Sequence, residues 1–335
     1  MYNSERGVPP MLLTKVRTES PDLSLIEKLW DDERIIKNSV HLIMTSPLAR
    51  IESYPQEAKR LIGIDYEQFL ALVDLAEQRH LEKLAEIEKS KVRIIAPGGG
   101  RKPEISPKQG VCLCLVYLRQ KPIFEILGLL FDISKTKAND TFNYWIEIMR
   151  DILPASQMEE ASKSSQKHEE LCRLLSEYEL IVDSAEQAIE RPGDYQEQKR
   201  YYSGKKKMHT IKNQFIVLPN GADIVDICIG KLGKTSDITL FRQIHHKFDS
   251  KQRFIGDKAY IGEEVITTPQ KKQKKTEIST LQKEENKQLS SRRIGVEHLI
   301  GRVKIFRVAS DRFRESSSSL QPGNNDGLWT SQITT

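Results

Sequence analysis

Cysteine is scarce in this chain. There are four in 335 residues, Cys112, Cys114, Cys172 and Cys228, and no two keep a C-x-x-C spacing. All four stand among apolar residues or in helical patterns, so reduced, buried thiols of a cytosolic protein are expected rather than a disulfide framework. Long apolar runs are missing too. None approaches the ~18 residues of a membrane span, and the opening Met1-Tyr-Asn-Ser-Glu-Arg lacks the charged-then-apolar pattern of a secretory signal. No membrane partner is expected. Nor does one sign of charge dominate: 52 Lys and Arg face 47 Asp and Glu, a formal charge of +5. For a nucleic-acid binder that excess is modest, so the placement of the charges matters more than their sum.

The length suggests about two domains. Residues 1–60 show no readable organisation beyond a helix near Leu25–Ile43. From Asp65 to Glu88 the apolar spacing is helical, with Phe69, Leu72, Leu75 and Ala76 on one stripe that Leu81, Leu84 and Ile87 continue. The Pro97–Pro103 segment, with three glycines between two prolines, reads as a linker. A helical DNA-binding region is expected over 61–154 and a helical connector over 155–179.

Residues 107–151 read as three helices with short joints. Val111 to Leu118 is almost wholly apolar, as in a buried helix. Pro122 suits the first turn of a second helix, Ile123–Phe131. Asp132-Ile-Ser134 is the turn, with Ser134 as N-cap. The third helix places Ala138, Phe142, Trp145 and Met149 on one face, while Lys135, Lys137, Asn139 and Asp140 project from its first turns. This order matches a helix-turn-helix, whose last helix enters the major groove. From the pattern alone a three-helix packing module explains it equally well.

After residue 180 the period changes to that of strands. Leu180–Val182, His209–Leu218, Ala222–Ile229 and Arg253–Gly256 are strand-like, and Pro219-Asn-Gly221 is a hairpin turn. Helices are expected at Ser236–Phe248 and Ser291–Phe306, with the highly charged Lys271–Lys287 as a loop or solvated helix. The order β, β, β, α, β, α suits an α/β nuclease layer whose fourth strand returns beside the first.

Three acidic signatures lie on these elements. Asp183 ends the first strand, Asp257 ends the fourth, and Glu297 stands on the last helix with Arg293 one turn before it and Lys304 two turns after it. Singly they read as a turn former, a strand-end aspartate and a surface ion pair. Jointly, two strand-end carboxylates and one helical carboxylate can converge into an all-oxygen ligand set for a hard cation such as Mg²⁺. Paired ions held in this way serve phosphodiester cleavage. Asp237 is an alternative second carboxylate. It opens a helix and suits an N-terminal capping position, whereas Asp257 lies beside the Asp183 strand and is preferred. Lys205, Lys206 and Lys207 can hold phosphates or form a solvated loop, and so can Lys271–Lys275.

On these residues the segment from Asp183 to about Arg312 resembles the DDE transposases of bacterial insertion sequences, in the group related to Harbinger transposases. The matching runs are Val182-Asp183-Ser184 followed by Glu190-Arg191-Pro192, Tyr202 to Thr210, Gly233 to Asp237, Gly256-Asp257-Lys258-Ala259-Tyr260, and Arg293-x3-Glu297-x6-Lys304. The 107–151 unit resembles the family's N-terminal helix-turn-helix, so the likeness covers about 60–312. It implies an RNase H-like catalytic domain over 180–314, with a mixed sheet flanked by helices, behind an all-α DNA-binding domain. It implies catalysis by Asp183, Asp257 and Glu297 holding two Mg²⁺ ions, with Mn²⁺ as a substitute. The chemistry would be nicking of element ends and joining of the 3′-hydroxyl to target DNA. Lys135, Lys137, Asn139, Lys205, Lys206, Lys207, Arg293 and Lys304 would contact DNA. The partners would be double-stranded DNA, as element ends and target, and a second copy of the chain. The location would be the bacterial cytoplasm, at the nucleoid when DNA is bound.

Two features depart from that family. Its tyrosine three residues before Arg293 is Ser290 here. The polar tail 315–335 stands where relatives carry an apolar terminus, and it is expected to be disordered and to result from a shift of reading frame. The tail supports the alternative, a non-catalytic helix-turn-helix protein derived from a decayed transposase. A third reading is an RNase H-like nuclease that never transposes.

Overall fold

A computed structural model describes residues 46–90, 104–221, 223–270 and 279–313. The helix expected at Leu25–Ile43, the Pro97–Pro103 linker, the Lys271–Lys275 run and the tail 315–335 lie outside the described residues.

The helical part begins with α1 (Pro47–Ser53) and α2 (Ala58–Ile62), two short helices in a stretch that showed no period. Ser46 caps α1 by accepting from the Ala49 N–H. Helix α3 (Tyr66–Ser90) buries Phe69, Leu72, Val73 and Ala76. The stripe expected to run on does not: Leu75, Leu81 and Leu84 are 51%, 59% and 46% exposed. Leu75 lies about 100° of helical turn away from the buried stripe.

Helix α4 (Pro107–Gln120) starts at a capping box, in which Ser106 and Gln109 bond each other's backbone N–H at 3.2 and 2.9 Å. Val111 to Val116 and Leu118 are all buried. Helix α5 (Phe124–Phe131) starts slightly later than expected, with Ile123 as N-cap and Pro122 outside it. Asp132 then takes a left-handed conformation, φ 53°. Ser134 caps α6 (Lys135–Ile152), which buries Ala138, Thr141, Trp145, Ile146, Ile148 and Met149. The three helices thus stand as the sequence indicates, apart from the later start of α5.

Two short helices, α7 (Gln157–Ala161) and α8 (Ser165–Leu175), lead into the sheet. The elements that follow are β1 (Glu179–Ala188), α9 (Tyr195–Tyr201), β2 (Tyr202–Ser203), β3 (Met208–Val217), β4 (Ile224–Leu232), α10 (Asp237–Ile244), β5 (Arg253–Ile255), β6 (Ile266–Thr267), α11 (Thr280–Lys304) and α12 (Arg307–Ser310). The main strand order is β4-β3-β1-β5-β6, and β2 pairs with the start of β3. The β4–β3 and β3–β1 pairs are antiparallel, while β1–β5 and β5–β6 are parallel. The strand after the α10 crossover does return beside the first. A mixed sheet flanked by helices therefore follows an all-helical region, which is the expected fold class.

Strand alternation sorts the core. Ile181, Phe215, Val217 and Ile224 face Val296, Leu299, Ile300 and Val303 of α11 and share one apolar cluster with α3, α4 and α6. Leu180, Val182, Ile216, Val225 and Phe254 face the other way, onto Met158, Leu175, Phe241, Ile244 and Tyr260.

Two expectations change. Strand β1 does not stop at Asp183 but runs on to Ala188, paired with β3 throughout. Its second half, Ser184-Ala-Glu-Gln187, is mostly polar, so the apolar signal ends although the strand does not. Helix α11 begins at Thr280, well before Ser291, behind a Ser279–Gln282 capping box.

Candidate active site

Strands β1 and β5 are hydrogen-bonded only as far as the Ile181↔Ile255 couple. Asp183 and Asp257 each stand two residues beyond it, so both carboxylates emerge where the parallel neighbours part. Asp183 keeps its antiparallel partner, Phe215 of β3. It therefore sits inside a strand that is open on one edge. By alternation it points to the same side as Ile181, the side covered by α11.

The charges there are poorly compensated. Burial pushes the Asp183 carboxyl above its usual range, and the nearby charges of Asp257 and Asp237 push it the same way, while the Ser184 N–H and Arg293 pull it back. Arg293 Nη2 donates to Asp183 Oδ2 at 3.3 Å, with the two side chains 13% and 20% exposed. The Arg293 Nε is buried and has no partner among the described residues. Asp257 accepts at Oδ1 from the Ala259 N–H at 2.8 Å, capping the turn Lys258–Tyr260.

Glu297 is exposed on α11, one turn after Arg293. On a helical wheel Arg293, Glu297 and Lys304 lie within about 40° of one another, on the flank that meets Asp183. The opposite flank, at Gly295 and Arg302, packs on the β3–β4 turn, where Arg302 Nη2 donates to Gly221 O at 2.6 Å. The structure thus brings Asp183 and Asp257 together and places Glu297 on the adjoining helix face. Among the described residues no three His, Cys, Asp or Glu side chains are grouped closely enough to hold a metal ion.

Asp237 is differently placed. The amine of Lys212, a β3 side chain only 8% exposed, pairs with its carboxylate at 2.9 Å and donates to Thr235 O at 2.7 Å. A counter-charge already occupies Asp237, whereas no ion pair engages Asp257 among the described residues. Lys212 carried no motif signal. Nor did Gln214, whose Nε2 reaches the Tyr260 hydroxyl at 3.0 Å, Asp237 O at 2.9 Å and Ser184 Oγ at 3.3 Å.

The residues assigned to DNA differ in freedom. Lys135 is tied to Glu125 of α5 at 2.5 Å, both side chains being largely exposed. Lys137 is exposed, with no side-chain pair among the described residues. Asn139 accepts from Asn143 Nδ2 at 2.7 Å, which leaves its own amide N–H groups available. Lys205, Lys206 and Lys207 are exposed in the turn between β2 and β3, where Lys207 has φ 54°. Lys304 is exposed at the end of α11. Ser290, in place of the family's tyrosine, bonds back to Asn286 O at 2.8 Å. Cys112, Cys114 and Cys228 are buried and Cys172 is partly so, and no disulfide joins any two of them. No helix among the described residues is long and apolar enough to cross a membrane.

Comparison with known families places both halves. The family described as DDE superfamily endonuclease matches residues 182–324, and the helix-turn-helix of DDE superfamily endonuclease matches residues 103–155. A probable transposase for insertion sequence element IS702 from Microchaete diplosiphon is 31% identical over 261 residues, covering 76% of this chain and 86% of that protein. No solved structure matches.

Proposed function

The chain belongs to the DDE superfamily endonucleases, within the transposases of insertion sequences, and from that premise we propose that it nicks the ends of its element and joins the freed 3′-hydroxyl to target DNA. The observation that carries this reading is the convergence of Asp183 and Asp257 at the parting of two parallel strands, with a cationic side chain already on one of them. Burial of Asp183 and its repulsion by the Asp257 charge raise the cost of ionising it, and a cation removes that cost. The donor set is all oxygen, which fits Mg²⁺, with Mn²⁺ as a substitute. Asp183 and Asp257 would hold the ions, and Glu297 would complete the set from the α11 flank. Two such ions supply activation of the attacking oxygen and stabilisation of the leaving one.

The chain's own groups do the rest. Arg293 and Lys304 would receive phosphate oxygens along the flank of α11. In doing so Arg293 exchanges its single 3.3 Å contact with Asp183 for a phosphate and frees that carboxylate oxygen. Lys205, Lys206 and Lys207 would hold the DNA beyond the far end of β1. The Lys135–Asn139 turn of α6 would enter the major groove, with Lys137 on a phosphate and Asn139 reading an adenine edge. Joining two element ends calls for two copies of the chain on DNA. An assay with labelled element-end DNA tests the reading. Nicking and strand transfer should need Mg²⁺ or Mn²⁺ and be lost in Asp183→Asn. Nicking that survives excess chelator would refute it.

A further inference from the structure

Nothing in the sheet ladder holds Asp183 and Asp257 at a set separation, because β1–β5 pairing ends at Ile181↔Ile255. Resting on the function proposed above, we propose that Tyr260, Ser184 and Gln214 form a buried clamp that positions the two carboxylates, with the Tyr260 hydroxyl as its central member.

The chain supplies one clamp residue from each side. Ser184 directly follows Asp183, and Tyr260 lies three residues after Asp257. The turn that Asp257 caps folds the chain back, with the Tyr260 N–H on Asp257 O at 3.2 Å, and this carries the ring beneath β1. Gly256 leaves room for the ring, since a Cβ there would come within 2.8 Å of Tyr260 Cδ2. The Tyr260 hydroxyl then stands 3.1 Å from Ser184 Oγ. Gln214, fully buried on β3, lies opposite Ser184 in the β1–β3 register.

The protons can be followed. Gln214 Nε2 faces the carbonyl of Asp237 at 2.9 Å, so the amide must point its N–H₂ and not its oxygen that way. Its second N–H goes to the Tyr260 oxygen at 3.0 Å, and the Tyr260 and Ser184 hydroxyls share the next hydrogen bond at 3.1 Å. Tyr260 is 1% exposed, and burial holds its phenol protonated, above the ordinary tyrosine range. One amide therefore ties together the Asp183 strand, the Asp257 turn and the start of α10. Gln214 Oε1 remains buried without a partner in the described residues, so the amide contributes here through its donors. A buried, linked network of this kind fixes geometry more tightly than surface contacts do. The side-chain bonds of its members run to one another and to Asp237 O rather than to either carboxylate, which makes them positioning residues.

The test is Mn²⁺ binding by the full chain without DNA, read from the loss of the free-ion paramagnetic signal, beside a thermal melt in chelator. Tyr260→Phe keeps the ring and removes one hydroxyl. It should weaken Mn²⁺ binding about five- to tenfold, the worth of one hydrogen bond. Ser184→Ala, which removes the other end of the same bond, should weaken it equally. The double variant should lose no more than either single one. Ser184→Thr, which keeps a hydroxyl, should restore wild-type affinity. A Tyr260→Phe protein that melts lower yet binds Mn²⁺ as wild type does would overturn the clamp and leave Tyr260 a packing residue. Asp183→Asn separates the two levels: if it too binds Mn²⁺ at wild-type affinity, the proposed metal site itself fails, and the clamp with it.

Discussion

The helix that carries Arg293 and Glu297 meets the β3–β4 turn backbone to backbone at Gly295 and Gly221, and Gly221→Ala should break that contact. A Cβ at position 221 would lie 2.3 Å from Gly295 O, 2.5 Å from its carbonyl carbon and 2.6 Å from its Cα. These are backbone atoms, so no rotamer relieves the clash, and α11 must move away from the β3–β4 turn. Position 221 also has φ +65°, a conformation that costs an L-residue about 1–2 kcal/mol. Overpacking of a fitted contact costs a further ~1–3 kcal/mol. The expected loss is therefore about 2–5 kcal/mol, a large part of the roughly 5–15 kcal/mol that holds a typical domain. Gly295→Ala is the contrast. Its Cβ would approach Gly221 N at 3.0 Å and Asn220 C at 3.2 Å, a tight fit, but alanine recovers about 0.5–1 kcal/mol of helix propensity. The net change should be small. Gly221→Asn separates the two causes at 221, because asparagine tolerates the left-handed region but not the clash. Urea midpoints of the three variants decide the matter. A Gly221→Ala midpoint equal to wild type, or a Gly295→Ala loss as large as that of Gly221→Ala, would refute the geometric argument.

Asp183→Asn, Asp257→Asn and Glu297→Gln should each abolish cleavage while leaving DNA binding intact, measured by gel shift. Asp237→Asn should keep cleavage, since Lys212 already engages that carboxylate; the reverse pattern would exchange the roles of Asp237 and Asp257. Ca²⁺ should enter the site without supporting turnover, because it prefers looser, higher coordination than Mg²⁺. The raised Asp183 carboxyl sets a pH dependence in metal-free protein. Folded Asp183 takes up a proton more readily than the unfolded chain does. Its contribution is therefore fully present below the ordinary value of 3.8 and is lost as pH rises through the folded value. Asp226, on the other face, is raised by burial as well, so the Asp183 share is the difference between wild-type and Asp183→Asn melts across that range. In the helix-turn-helix, Lys137→Ala should lower the salt slope of DNA binding by roughly one unit. Asn139→Ala should cost about 1–3 kcal/mol of discrimination at one base. Lys135→Ala should do less than Lys137→Ala, because Lys135 is already paired with Glu125.

Much of this protein was legible in its sequence wherever the cause is local. The three helices around 107–151 follow from an apolar run, two serine caps and a short turn, each acting within a few residues. The strand order around the hairpin followed from alternation and from Pro219-Asn-Gly221. The acidic motifs pointed to Asp183, Asp257 and Glu297 through their order along these elements. The tertiary structure decided what depends on distant partners. Strand β1 continues past Asp183 because β3 supplies hydrogen bonds to a polar segment that shows no apolar alternation of its own. The outer half of α3 exposes its leucines although their spacing resembles that of the buried half. The neutralisation of Asp237 depends on Lys212, brought from β3. The joining of the Asp183 and Asp257 segments depends on Gln214 and on a tyrosine hydroxyl that a motif shows only as a letter. A segment's preference is written in its neighbours along the chain. Which carboxylate is left without a counter-charge depends on what the fold carries to it across space, and burial multiplies the consequence by removing the water that would otherwise screen it.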